Sequence, residues 1–90
     1  MTSVSREVLI SNKRGLHARA SAKFVGMASE LGAKIEVEKD GHRVCGTSIM
    51  GLMMLGAAMG DKIVIHVEGA EAEAALTQLV ELVETKFGED

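Results

Sequence analysis

Along the first ten residues the chain alternates. Val4, Arg6, Val8 and Ile10 fall on one side of an extended segment, and Ser3, Ser5, Glu7, Leu9 and Ser11 on the other. A period of two with one apolar side predicts a strand half-covered by a core. From Ala18 to Leu31 the period lengthens. Phe24, Met27, Ala28 and Leu31 are spaced for one helical face, no proline interrupts, and Gly32 follows where a left-handed C-terminal residue is expected. Ile35 and Val37 alternate with charged neighbours as far as Asp40-Gly41, a two-residue hairpin signal. Arg43 to Gly46 reads as the return strand, with Val44 and Cys45 on opposite faces. Thr47-Ser48 offers an N-cap for a short helix through about Leu55, weakened by Gly51 and Gly56. Ile63, Ile65 and Val67 then alternate with Val64 and His66 in a further strand, and Gly69 turns the chain. In the last segment Ala72, Ala75, Leu76, Leu79, Val80, Val83 and Phe87 form one helical stripe, with Gly88 as its stop.

The predicted order is β-α-β-β-α-β-α. Half-buried alternation in every strand favours an antiparallel sheet with one face under the helices, an α+β architecture. Ninety residues suffice for one core and not for two, so residues 1–90 are expected to form a single domain. The chain is 47% hydrophobic with only two aromatics, Phe24 and Phe87, which makes the expected core aliphatic and methionine-filled. Cys45 is the sole cysteine, which excludes an internal disulfide and suits a reducing cytoplasm. No apolar run approaches the roughly 20 residues of a membrane span, so a soluble, cytoplasmic protein without membrane insertion is expected.

Charge sharpens this picture. The formal net charge of −3 argues against a nucleic-acid partner, as does the placement of both phenylalanines outside the strands. The distribution is more telling than the sum. No acidic residue occurs between Val8 and Ser29, where Lys13, Arg14, Arg19 and Lys23 surround His17. Acids gather near the C-terminus, at Glu71, Glu73, Glu81, Glu84, Glu89 and Asp90. Most solitary histidines are structural or merely solvated. His17 differs because it stands where the first strand gives way to a helix, beside backbone N–H groups that no helical carbonyl can satisfy. Such a helix start attracts anions, and Arg19 adds a fork-shaped charged donor two residues on.

That setting suits phosphate. An imidazole is largely uncharged at neutral pH, is nucleophilic, and forms a labile bond to phosphorus. Phosphoryl transfer asks the protein chiefly for positioning and charge stabilisation. The chain has no Walker-type glycine loop and no nucleotide fingerprint, so it is not expected to use ATP or another cofactor itself. The three histidines and Cys45 lack metal-ligand spacing; His42 reads as a turn residue and His66 as a residue of the open sheet face.

The residues Gly15-Leu16-His17-Ala18-Arg19, with Phe24 and Val25 following, Gly46-Thr47-Ser48-Ile49-Met50, Leu55-Gly56 and the strand from Gly60 to Glu68 carry a resemblance. The chain resembles the histidine-containing phosphocarrier proteins (HPr) of the bacterial phosphoenolpyruvate-dependent phosphotransferase system, over about Glu7 to Glu84. The resemblance implies an open-faced β-sandwich, a four-stranded antiparallel sheet with three helices on one face. It implies a stoichiometric phosphocarrier rather than an enzyme. His17 would be phosphorylated on Nδ1 by enzyme I and would hand the group to an enzyme IIA-type protein, in sugar uptake or in a nitrogen or regulatory branch. Arg19 would contact the phosphate and the partners, and Ser48 would match a serine modified by a dedicated kinase/phosphorylase in some bacteria. Ala18, Ala20, Ile49, Met50, Met53, Met54 and Ala57 would form the partner-binding surface of a monomer.

The chain departs from the family pattern at Ala20, commonly proline, and at Ser29 and Gly51, where basic residues are usual. It also runs a few residues past the usual end, so no carboxylate partner for Arg19 transfers. The Ala18-Arg19-Ala20-Ser21 string is closer to the nitrogen-type or regulatory carriers. The alternative is a phosphorylation-switched regulatory binding module without onward transfer.

Overall fold

A computed structural model describes residues 2–89. Strand β1 (Thr2–Leu9) leads into helix α1 (Ala18–Glu30), followed by the hairpin β2 (Lys34–Lys39) and β3 (His42–Cys45). A short helix α2 (Ile49–Met54), strand β4 (Lys62–Gly69) and helix α3 (Ala72–Glu84) complete the order, and a 3₁₀ turn (Lys86–Gly88) ends it. The four strands form one sheet in the order β1-β4-β2-β3, antiparallel throughout. Every predicted element is present in the predicted order, with the helices on one face of an open sheet.

Register explains the sidedness. Val8 faces Ile63, and Val67 faces both Val4 on β1 and Ile35 on β2, while Ile65 faces Val37. All of these except the half-buried Val4 are nearly or wholly inaccessible, and they floor a core completed by Phe24, Leu52, Leu79, Val83 and Phe87 from above. The other sheet face is left uncovered and polar. There His66 Nε2 meets Glu38 Oε1 at 2.8 Å on the diagonal of the β2–β4 ladder, as its alternation predicts. The β2–β3 turn has positive φ at both Asp40 (52°) and Gly41 (84°), the geometry that matches strand twist in a two-residue hairpin.

One boundary corrects the sequence reading. The last helix does not continue to Gly88 but stops at Glu84, where Thr85 Oγ1 donates back to the Glu81 carbonyl. Lys86 and Phe87 then adopt φ of 60° and 55° and reverse the chain. Left-handed backbone costs a non-glycine residue roughly 1–2 kcal/mol. Burial of a phenylalanine returns roughly 1.5–3 kcal/mol, and Phe87 is 1% exposed. Lys23 Nζ adds a hydrogen bond to the Phe87 carbonyl at 2.7 Å, so the reversal is held from both ends. Its consequence is local. Glu89 is delivered to the N-terminus of α1.

Candidate functional site

The loop from Ile10 to Leu16 is fixed by backbone bonds before any catalytic group is considered. Ile10 N–H donates to Asp61 O, Gly60 N–H donates to Ile10 O, and Leu16 N–H donates to Ala57 O at 2.9 Å. Gly15 has φ 63°, and a Cβ there would run into the Ala57 carbonyl oxygen and lie 2.8 Å from Ala58 Cα. Only glycine permits both the left-handed turn and that approach. Leu16 is buried next to it, and its carbonyl accepts a bond from the buried Ser21 hydroxyl.

His17 follows as the N-cap of α1. Its backbone is extended (φ −75°, ψ −179°), and its carbonyl accepts the Ser21 N–H to start the helix, while its ring makes no capping bond. The first-turn amides that follow have no helical acceptor. The side chain is 14% exposed, and its Nε2 lies 2.5 Å from Glu89 Oε2. Glu89 Oε1 accepts a second bond from Asn12 Nδ2 at 3.1 Å, and that same amide donates to Gly15 O at 2.8 Å. Asn12 is wholly buried. A buried amide therefore holds the loop before the histidine and the carboxylate on its ring in one grip.

Desolvation pushes the Glu89 pKa up. Hydrogen bonds from His17 and Asn12, with the charges of His17 and Lys23, outweigh it and hold the carboxyl below its ordinary value. Glu89 is thus a carboxylate at neutral pH, and an acceptor only. Nε2 must supply the proton between them. In the neutral ring the free lone pair then belongs to Nδ1, for which no described residue provides a hydrogen bond.

Arg19 is exposed in the first turn of α1, Lys13 and Arg14 are exposed in the loop before it, and none of the ion pairs among the described residues involves these three. The acidic group that the acid-free stretch attracts is therefore placed on His17 and not on Arg19. Asn12 and Glu89 escaped the sequence reading. The available signal was the basic, acid-free surroundings of His17 set against a C-terminal acid just past an aromatic and a glycine.

Beside this loop, Ser48 N-caps α2, its Oγ accepting from the Gly51 N–H at 3.0 Å. Within α2 only Leu52 is buried. Ile49, Met50, Met53 and Met54 are exposed, Met50 at 73% and Met54 at 80%, and Met59 joins them. Ala18 is exposed as well. Ala20 and Ala57 are not. Both are buried core residues, one packed within α1's inner face and the other beneath the Gly15-Leu16 turn, which removes them from the expected contact surface. Among the described residues His17, His42, His66 and Cys45 are not brought into one group able to hold a metal ion. No described helix is long and apolar enough to cross a membrane.

Comparison with known proteins places this geometry. A family model described as the phosphorylation site of the PTS HPr component matches residues 4–85. The phosphocarrier protein HPr of Neisseria meningitidis serogroup A is 45% identical over 86 residues, covering 96% of this chain and 97% of its own. The phosphocarrier protein NPr of Shewanella violacea is 42% identical over 89 residues, covering 99% and 98%. Among solved structures, HPr-C-His from Thermoanaerobacter tengcongensis superposes with a TM-score of 0.87 at 47% identity, covering 100% of this chain and 99% of that one. The matched family region ends before the turn that brings Glu89 to His17.

Proposed function

This chain belongs to the HPr family, the phosphocarriers of the phosphotransferase system, and we propose that it carries its phosphoryl group on Nδ1 of His17, taken from enzyme I and given to an enzyme IIA-type protein. It is a carrier and not an enzyme. One observation carries the reading. A partly exposed imidazole stands at the N-cap of α1 with Nε2 occupied by a carboxylate, which leaves the Nδ1 lone pair as the nucleophile.

In the transfer the Nδ1 lone pair attacks phosphorus on the donor, the new N–P bond forms, and the donor atom leaves with the electron pair of the bond that breaks. Onward transfer reverses these roles. The first-turn amides of α1 and the exposed Arg19 guanidinium, two residues from His17, supply the stabilisation of growing negative charge that phosphoryl transfer chiefly requires. Ala18, Ile49, Met50, Met53 and Met54 supply an adaptable apolar surface for the partners. The carrier works as a cytoplasmic monomer.

Ser48 is a regulatory phosphorylation site in this reading, open to a serine kinase/phosphorylase. Its hydroxyl caps the N-terminus of α2, directly before the exposed Ile49 and Met50. A phosphate there adds about −1.5 to −2 charges where partners require an apolar contact, so it blocks docking without melting the helix. Ser48→Asp is expected to weaken binding to enzyme I, and unchanged affinity would count against the assignment.

The test is incubation with enzyme I, phosphoenolpyruvate and an enzyme IIA-type domain. Acid-labile phosphate is expected to appear on the wild type, to be absent from His17→Ala, and to move to the acceptor. A phosphorylated His17→Ala would refute the site. Phosphate that forms but never moves would favour the regulatory switch, and the relative rates with sugar-type and nitrogen-type acceptors assign the branch.

A further inference from the structure

We infer that Glu89 is a positioning residue for phosphoryl transfer at His17, acting through the imidazole Nε2–H and itself set by Asn12. The inference rests on the reading that His17 is the phosphorylated residue, and extends it beyond the region the family match covers.

Four contacts, none of them local in sequence, place this carboxylate. Phe87 is buried and fixes the turn, Lys23 Nζ holds the Phe87 carbonyl at 2.7 Å, Asn12 Nδ2 holds Glu89 Oε1, and the remaining oxygen meets Nε2 at 2.5 Å. The Asn12 amide is the informative member. It is fully buried, it binds both Glu89 and the Gly15 carbonyl two residues before the histidine, and so ring and carboxylate share one support. A surface acid pairing casually with a histidine has no such backing.

The chemistry uses this arrangement in three ways. Glu89 keeps the proton on Nε2, so the neutral ring presents its lone pair at Nδ1. It also fixes the ring's rotation about Cβ–Cγ, which decides where that lone pair points. When the N–P bond forms at Nδ1, the ring retains the Nε2 proton and becomes cationic, and the adjacent carboxylate offsets that charge. When phosphate leaves, the electron pair of the N–P bond returns to Nδ1. No proton need enter or leave. An orienting carboxylate on one ring nitrogen with chemistry at the other is the logic of hydrolase triads, applied here to a carrier.

The experiment compares the full chain with Glu89→Gln and Glu89→Ala. In the unphosphorylated wild type, NMR is expected to show an Nε2–H proton of His17 shielded from exchange with water; both variants lose that signal. With enzyme I and phosphoenolpyruvate, phosphorylation at saturating carrier slows about tenfold, the scale of one lost charge-assisted bond, while half-saturating carrier concentration stays put. In Glu89→Ala part of the phosphate moves from Nδ1 to Nε2, read by ³¹P NMR. Thermal unfolding of Glu89→Gln checks that the fold is intact. Unchanged Nε2–H protection in the variants would overturn the proposal, and so would wild-type rates with phosphate confined to Nδ1. Phosphorylation of His17→Ala would instead refute the site itself, leaving the Nε2–H result to stand alone.

Discussion

Lys23 donates from Nζ to the carbonyl of Phe87 at 2.7 Å, a bond between residues 64 positions apart that ties the middle of α1 to the turn after α3. It makes the C-terminal segment part of the site's foundation. The turn it secures contains two left-handed non-glycine residues, and these persist because Phe87 is locked into the core.

Phe87→Ala should therefore act at two levels. Loss of the buried ring is expected to cost about 3–5 kcal/mol, measured by urea unfolding. Glu89 should also leave His17, so the Nε2–H signal disappears under conditions where the domain is still folded. A variant that loses stability yet keeps that signal would show that Glu89 finds the ring without the turn.

Much of this molecule is legible one element at a time. Strand alternation, the Asp40-Gly41 turn, the Ser48 cap and the placement of His17 at a helix start all follow from residues within a few positions of each other. The C-terminal segment is different. Phe87 continues the spacing of Val80 and Val83, so local periodicity extends the helix; the turn that replaces it is decided by Lys23–Phe87 and by Asn12–Glu89, the latter spanning 77 positions. Alanines are the other blind spot. A methyl group carries little information about its side, and Ala20 and Ala57 went into the core while Ala18 stayed out.

Gly15→Ala tests how tightly the histidine loop is seated on the segment after α2. The added methyl meets Ala57 O and Ala58 Cα while the backbone is forced to keep φ near 63°. The left-handed strain alone is roughly 1–2 kcal/mol, and the collision must displace the Leu16–Ala57 hydrogen bond as well. Unfolding should occur at least about 2 kcal/mol earlier than in the wild type. Transfer from enzyme I should fall further than that loss of stability explains, because His17 moves with the loop.

The Glu89 contact should be sensitive to acid, with a defined sign. Its carboxyl is held below the ordinary value of 4.5, so the folded state binds that proton less readily than the unfolded chain. The stabilisation is complete above pH 4.5 and is lost as pH falls through the lowered value. His17, Asn12 and Lys23 are the groups that face this carboxyl and lower its pKa. NMR of Gly88 and Glu89 should show the segment released from His17 in acid, and Glu89→Gln should remove this step. Retention of the contact at full protonation would contradict an ionic origin.

Met50 and Met54 offer the cleanest separation of docking from stability. At 73% and 80% exposed they contribute little to the core that Leu52 anchors from the same helix. Met50→Lys with Met54→Lys should shift unfolding by no more than about 0.5 kcal/mol per site. Two charges placed in the proposed contact surface would have to be desolvated on docking, so the Kd for enzyme I should rise by about tenfold or more. The rate at saturating carrier should hardly change, since His17, Glu89 and Arg19 are untouched. That pattern, a binding loss without a loss in transfer, is opposite to the one expected of Glu89→Gln. A double variant that slowed transfer at saturation would mean that the methionines act on the reacting ring and not on the partner alone.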